Sequence, residues 1–220
     1  MLFKNRKVRI VSLGQNCIPR TILTRNGLKP SKWYGEPTYP FDLAVFSIFE
    51  ITKSIKFDFA EFYNNLVFKK SADGKTSYWV KEPNCIEFIH GNNLNEIDKA
   101  KLIKIYNKRI NNFRKMMSSY KPVLFVQIVN TDEDIYNLYG ELLKKRMDRP
   151  FKLAIIDVNN VVKEVRIKDV EVLKLPFPSE EYKNNWWKKE YYESIEGQVF
   201  EKHFCDFCQM MIDKIIYENK

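Results

Sequence analysis

Glycine is scarce in this chain, seven in 220 residues, and histidine scarcer still, at two. The motifs that need glycine or histidine pairs are missing with them. There is no glycine-rich phosphate loop, no G-x-G-x-x-G and no H-E-x-x-H. No apolar run reaches the ~18–20 residues that crossing a bilayer requires. Cysteine is limited to Cys17, Cys85, Cys205 and Cys208, too few in a chain this long for a disulfide framework. Free thiols in a reducing compartment are the expectation. The first seven residues carry basic groups but run straight into a β-like stretch, without the apolar core and small-residue cleavage site of a secretory signal. A cytoplasmic protein is expected, with no membrane partner, no metal and no cofactor.

What is present suits a packed domain. Hydrophobic residues make up 45% and aromatics 15%, enough for a substantial core and too much for a disordered chain. The formal charge of +9 raises the question of nucleic acid. A nucleic-acid footprint gathers on one face, and here the lysines and arginines are spread along the whole chain. A nucleic-acid partner is therefore not expected.

The hydrophobic rhythm alternates between strand and helix. Residues 8–13 (VRIVSL) form a short β-branched run closed by Gly14, and 17–28 follow as a helix ended by Asn26-Gly27. Residues 29–40 are a proline-bearing loop, and a helix begins near Phe41, with Phe46, Phe49 and Ile55 apolar. The aromatic-rich stretch 57–68 has no clear period. A turn at 71–75 joins strands over 76–80 and 85–90, a hairpin. Beyond it lie helix 97–118 with Ile103, Tyr106, Ile110, Phe113 and Met117 inward, and strand 123–129 (VLFVQIV). Helix 132–147 follows, with Ile135, Leu138, Leu142 and Leu143 inward, then strands 151–158 and 170–175 and a closing helix over 199–217. Nearly continuous apolar strands between helices predict an α/β three-layer sandwich around a central, mainly parallel sheet. Residues 1–220 read as one domain, with an aromatic-rich and hairpin insert at about 57–95.

The chemistry concentrates where the first strand hands over to the first helix. In open α/β sheets, ligands bind beyond the carboxyl ends of strands. Cys17 sits there, and a helix start favours a thiolate through its dipole and free N–H groups. Gly14 permits a sharp turn, and the loop Gly14-Gln15-Asn16 could cradle an oxyanion or anionic ligand, with the Asn16 amide as donor. A thiol nucleophile needs a base. His90 ends a strand just before Gly91-Asn92-Asn93, whereas His203 lies within the closing helix, so His90 is the candidate. Asp42, after the turn Tyr39-Pro40, is either a helix-capping acid or the group that orients His90. Asp157 and Asn130, at later strand ends, are its substitutes. Asn130 also belongs with the substrate-binding candidates. An aromatic before proline makes Tyr39–Pro40 a place where a cis bond is worth considering. His203-x-Cys205-x-x-Cys208 has metal-like spacing, but it falls on an amphipathic helix without a fourth ligand. Trp186-Trp187 with Tyr191-Tyr192 reads first as a packing patch, and otherwise as a stacking surface.

The motifs taken together resemble a known family. SLGQNC with a helix ending in NGL, then PFD, a strand ending FIH, the helix KRINNFRKM and the strand VLFVQIV are similar to a bacterial family of unknown function described as putative papain-like cysteine peptidases. The resemblance runs from about residue 8 to 129. It implies a Cys–His site, with Cys17 at the family's GxxC position, Asp42 at PFD and His90 at FxH. It also implies a papain-like α+β fold as the alternative to the parallel sandwich. Leu43 stands where that family often has tryptophan.

Two functions follow. One is a thiol-dependent hydrolase or acyltransferase using Cys17, His90 and Asp42 on a small-molecule, peptide or glycan-linked substrate. The other is a non-catalytic domain that binds a glycan or nucleotide through the loop after Gly14, with Trp186 and Trp187 as a wall.

Overall fold

The computed structural model describes residues 7–14, 16–70, 77–83, 86–88, 98–129 and 134–219. In chain order it contains β1 (Arg9–Ser12), α1 (Ile18–Arg25), α2 (Ile48–Lys56), β2 (Leu66–Lys70), β3 (Ser77–Lys81) and β4 (Ile86–Phe88). There follow α3 (Lys99–Met117), β5 (Val123–Val129), α4 (Ile135–Arg146), β6 (Phe151–Asp157), β7 (Val170–Lys174), α5 (Glu180–Asn185), α6 (Lys189–Tyr192) and α7 (Ile195–Glu218). Single 3-10 turns lie at Lys32–Tyr34 and Pro40–Leu43.

The central sheet has the order β1-β5-β6-β7, and all its pairings are parallel. Every residue of β5 and β6 is buried, which is why these strands are almost purely apolar in sequence. Alternation along β5 divides the core in two. Val123, Phe125 and Val129 join Leu153 and Ile155 under α2, α3 and α4, while Leu124, Val126 and Ile128 join Ala154 and Ile156 under α1 and α7. The molecule is thus an α/β sandwich, and the papain-like α+β alternative does not describe it. Among the described residues no helix is long and apolar enough to cross a membrane.

The aromatic-rich stretch that lacked a period sends Phe59, Phe62 and Leu66 into the core and leaves Phe57 and Phe68 exposed. Phe41 stacks on Phe59 at 5.8 Å and meets Phe46 and Phe113 edge-on at 5.1 and 5.5 Å. Phe62 lies 5.8 Å from both Phe88 and Tyr106. The stretch also yields β2, which the sequence pattern did not reveal because its last four residues are exposed. With β3 and β4 it makes an antiparallel sheet of order β2-β3-β4. The expected turn at 71–75 lies outside the described residues.

Three local expectations are corrected. Phe49 is 67% exposed and Leu143 46%, since each falls one position off the buried stripe of its helix. Leu102, fully buried, takes the place expected for the half-buried Ile103. The cis peptide is at Glu82–Pro83, not before Pro40.

Two buried cations tie the sheet to its surroundings. Lys29 donates to the carbonyl of Ile10 at 2.7 Å and to Glu36 at 3.1 Å, closing the outer edge of β1. Arg146, also fully buried, donates to five carbonyls, those of Met116, Met117, Ser119, Lys121 and Pro150, at 2.8–3.1 Å. It thereby closes the end of α3 and fixes both loops entering β5 and β6. Arg146→Met would strand these carbonyls and cost about 3 kcal/mol or more. Arg146→Lys, lacking the planar fork, should recover only part of that. Urea denaturation checks it, and a loss below about 1 kcal/mol for the Met variant would contradict the assignment.

Candidate functional site

The loop after β1 is shaped by one glycine and one glutamine. Gly14 adopts φ +92, and a Cβ there would come within 3.0 Å of the Phe41 carbonyl oxygen, so no other residue fits without displacement. Ser12 Oγ accepts from Gly14 N at 3.4 Å. Gln127, the single polar residue of β5, is fully buried. Its amide donates to the carbonyls of Ile128 at 2.7 Å and Gly14 at 3.4 Å. These contacts press the loop against the PFD turn.

Cys17 is the N-cap residue of α1, 6% exposed, and its carbonyl accepts from Thr21 N at 3.0 Å. The expectation of a favoured thiolate is overturned. Burial pushes the thiol up to about 11, and a backbone hydrogen bond only partly opposes it. The reason lies in the helix start itself. Asn16 Oδ1 already accepts from Ile18 N at 2.9 Å, and Pro19 has no N–H to offer. Two of the first three groups that could steady an anion are spent. Asn16 therefore caps α1 with its carbonyl, which differs from the donor role expected of its side chain.

Asp42 is fully buried on the 3-10 turn Pro40–Leu43. Its Oδ2 accepts from Tyr39 N at 2.8 Å and pairs with Arg20, one turn beyond Cys17 on α1. Asp42 is thus a capping acid held by an arginine that sequence reasoning missed. The available signal was a charge in the first turn of a short helix, between the buried Pro19 and Ile22. Its Oδ1 is buried with no hydrogen-bond partner, as is Gln127 Oε1. Tyr106 completes this side, with its hydroxyl 3.4 Å from the Leu43 carbonyl and pushed up to about 12 by burial. Asp157 is no substitute orienting acid, because both its oxygens are used by the N–H groups of Asn159, Val161 and Val162.

The structure thus brings together Gly14, Asn16, Cys17 and Asp42, and adds Arg20 and Gln127. His90, Asn130 and Gln15 lie outside the described residues, as does Cys85. The spaced trio of α7 does not converge: His203 is exposed, Cys205 half-buried and Cys208 fully buried in the core. Among the described residues no group of three His, Cys, Asp or Glu is arranged to hold a metal. Trp186 is core and Trp187 is 56% exposed, so they do not form one wall.

Comparison with known families matches residues 8–159 to the model of a family described as "putative papain-like cysteine peptidase". No curated protein and no solved structure matches the chain.

Two outcomes are expected. Arg20→Met leaves a buried carboxylate unpaired and should cost about 3–5 kcal/mol, much of which Arg20→Met/Asp42→Asn restores. Additive losses in denaturant melts would refute the pair. For Cys17, the rate of iodoacetamide labelling should climb about tenfold per pH unit between about pH 7 and 9, since only the thiolate reacts. A plateau near neutrality, read by peptide mass spectrometry, would contradict the raised pKa.

Proposed function

The chain belongs to the family just described, and from that membership and the loop after β1 we propose that it is a thiol-dependent hydrolase or acyltransferase with Cys17 as nucleophile. The observation that carries the reading is the placement of Cys17. It opens α1 at the carboxyl end of β1, where open α/β sheets hold their ligands. The turn packed against Gly14 carries an acid that pairs with Arg20 of the same helix and keeps one buried oxygen without a partner.

With burial raising its pKa, the thiol is proposed to react from its protonated form and not as a preformed thiolate. Its proton must leave as the sulfur bonds to the substrate carbonyl. His90 is the proposed acceptor. Phe88 packs 4.7 Å from Tyr106, whose hydroxyl reaches the Leu43 carbonyl, next to Asp42. That corner, two residues before position 90 in the chain, is what supports the choice of His90. In the proposed cycle the Cys17 sulfur bonds the carbonyl carbon of an ester, thioester or amide. His90 takes the thiol proton and passes it to the departing alcohol, thiol or amine. Water, or a second acceptor, then releases the acyl group and restores the thiol. Asp42 Oδ1 is proposed to accept the imidazole N–H, while Arg20 holds Oδ2. Gly14, Gln15, Asn16 and Asn130 are the proposed surroundings of the substrate, which is a small molecule, a peptide or a glycan-linked acyl compound.

The burial of Cys17 favours a second reading, a non-catalytic domain that binds a glycan or nucleotide at the same loop. Acylation separates the two. Incubation with p-nitrophenyl acetate, quenched and digested, should show an acetyl adduct on Cys17 that then turns over. Cys17→Ser should abolish turnover and leave the melting temperature nearly unchanged, and His90→Ala should slow acylation at least about a hundredfold. Acylation of all cysteines at similar rates, with no turnover, would leave the binding reading standing and sink the enzyme.

A further inference from the structure

The end of the molecule opposite Cys17 carries an uncovered aromatic and basic surface. Trp33 is 95% exposed and Tyr34 69%, side by side on the 3-10 turn Lys32–Tyr34, which Gly35 closes at φ +78. No residue of that turn is buried, so its aromatic rings serve no core. Isolated exposed aromatics are ordinary, whereas a cluster of them marks a contact surface. Here the cluster extends to Tyr120, 81% exposed, with the Arg149 guanidinium 5.0 Å from its ring centroid. Lys29 binds both Glu36, two residues past Tyr34, and the Ile10 carbonyl, and Arg9 N donates to the Pro122 carbonyl beside Lys121 at 2.8 Å, so both aromatic sites flank the start of β1.

The positive charges there crowd one another, and Glu36 offsets them only in part. Arg9 opens β1, and Lys121 precedes β5. Burial first, and then Arg9, lowers the Lys121 pKa, while burial, Arg149 and Arg9 push Arg146 down to about 10. Among the described residues, no carboxylate lies within ion-pair distance of Arg9, Lys121 or Arg149. Glu36, the nearby acid, is engaged by Lys29. Among the described residues the Arg149 side chain donates to the Arg146 carbonyl at 3.2 Å, and its buried Nε has no partner. Such mutual repulsion persists at a cost unless something negative relieves it.

We propose that this amino-terminal end of the central sheet docks on an anionic lipid bilayer, with Trp33 and Tyr34 entering the headgroup layer and Arg9, Lys121 and Arg149 meeting its phosphates. Tryptophan and tyrosine suit the boundary between water and acyl chains, and basic residues behind them suit a negative surface. Single-stranded nucleic acid, the other polyanion with a taste for aromatics, is bound in grooves with stacking walls. Trp33 instead stands out on a turn beside exposed Lys32. No spanning segment marks a membrane partner in the amino acids, and the docking residues fall in four separate stretches of the chain. The inference does not depend on Cys17, which lies at the other end of β1.

Vesicle sedimentation of the full chain tests it, with phosphatidylcholine alone and with phosphatidylglycerol added. Binding is expected only to the anionic vesicles, with a blue shift of tryptophan emission and release by salt. Trp33→Ala should remove the shift and weaken partitioning about tenfold. Lys121→Gln with Arg149→Gln should remove the preference for phosphatidylglycerol, and circular dichroism should show both variants folded. Equal sedimentation with both vesicles, no sedimentation with either, or binding indifferent to Trp33→Ala would overturn the proposal. Capture of a single-stranded oligonucleotide without vesicle binding would overturn it too, in favour of nucleic acid.

Discussion

The ion pair between Arg20 and Asp42 joins the two segments on which the rest of the site depends. Arg20 belongs to the helix that Cys17 opens, and Asp42 to the turn that runs along the outer edge of β1. Both charges are out of water, Asp42 completely. A buried pair of this kind adds little net stability compared with apolar packing, yet breaking it is expensive, so its effect is to make one arrangement of the two segments much better than others. Gly14 enforces the same arrangement sterically, since the loop can approach the Phe41 carbonyl only without a Cβ. Gln127 adds a hydrogen bond from the neighbouring strand to the Gly14 carbonyl. Three unrelated interactions thus converge on one geometry of the strand–helix junction.

Around that junction the architecture follows from the need of a parallel sheet to bury both faces. β5 and β6 are apolar at nearly every position, and helices cover them on either side. One layer is aromatic: Phe41, Phe46, Phe59, Phe62, Phe88 and Phe113 meet ring to ring. Through it the small antiparallel sheet is fastened to the main one, Phe88 resting on Tyr106 of α3 and Glu87 bridging to Val45. Burial of this kind holds the last strand of the small sheet beside the PFD turn, although some forty residues separate them in the chain.

What could be read in the amino acids, and what could not, divides along the range of the forces. The β-branched run before Gly14, the unbroken VLFVQIV and the stripe of Tyr106, Ile110 and Phe113 are local patterns, and each produced the expected element. The region 57–68 was opaque because its phenylalanines pack in three dimensions with partners from four different segments, so no period of 2 or 3.6 survives in it. β2 escaped for the opposite reason: with four of its five residues exposed, its existence depends on pairing with β3 alone. At the candidate site, position brought Cys17, Gly14 and Asp42 forward, since a strand end, a tight turn and a proline turn all have local signatures. Their partners Arg20 and Gln127 have none. A charge on a helix and an amide in a strand acquire meaning only when the fold sets them against a carboxylate or a loop carbonyl.

The thiol illustrates how two rules drawn from the same junction can compete. A helix start should lower the pKa of a cysteine, and burial should raise it. The contest turns on how many N–H groups remain available at that start. Ile18 N is already bound to Asn16 and Pro19 has none, so the helix contributes little, and α1, at eight residues, is short. Burial then prevails. Under the proposed function, a cysteine in this state would behave more like a serine than a preformed thiolate, needing a base to take its proton as the new bond forms. That places the chemical demand on the base and on whatever holds it. The buried carboxylate of Asp42, with one oxygen tied to Arg20 and the other without a partner, is the kind of acceptor that could hold an imidazole without surrendering its own place in the fold. A protonated thiol also resists adventitious oxidation, so the burial that raises the Cys17 pKa protects the sulfur as well.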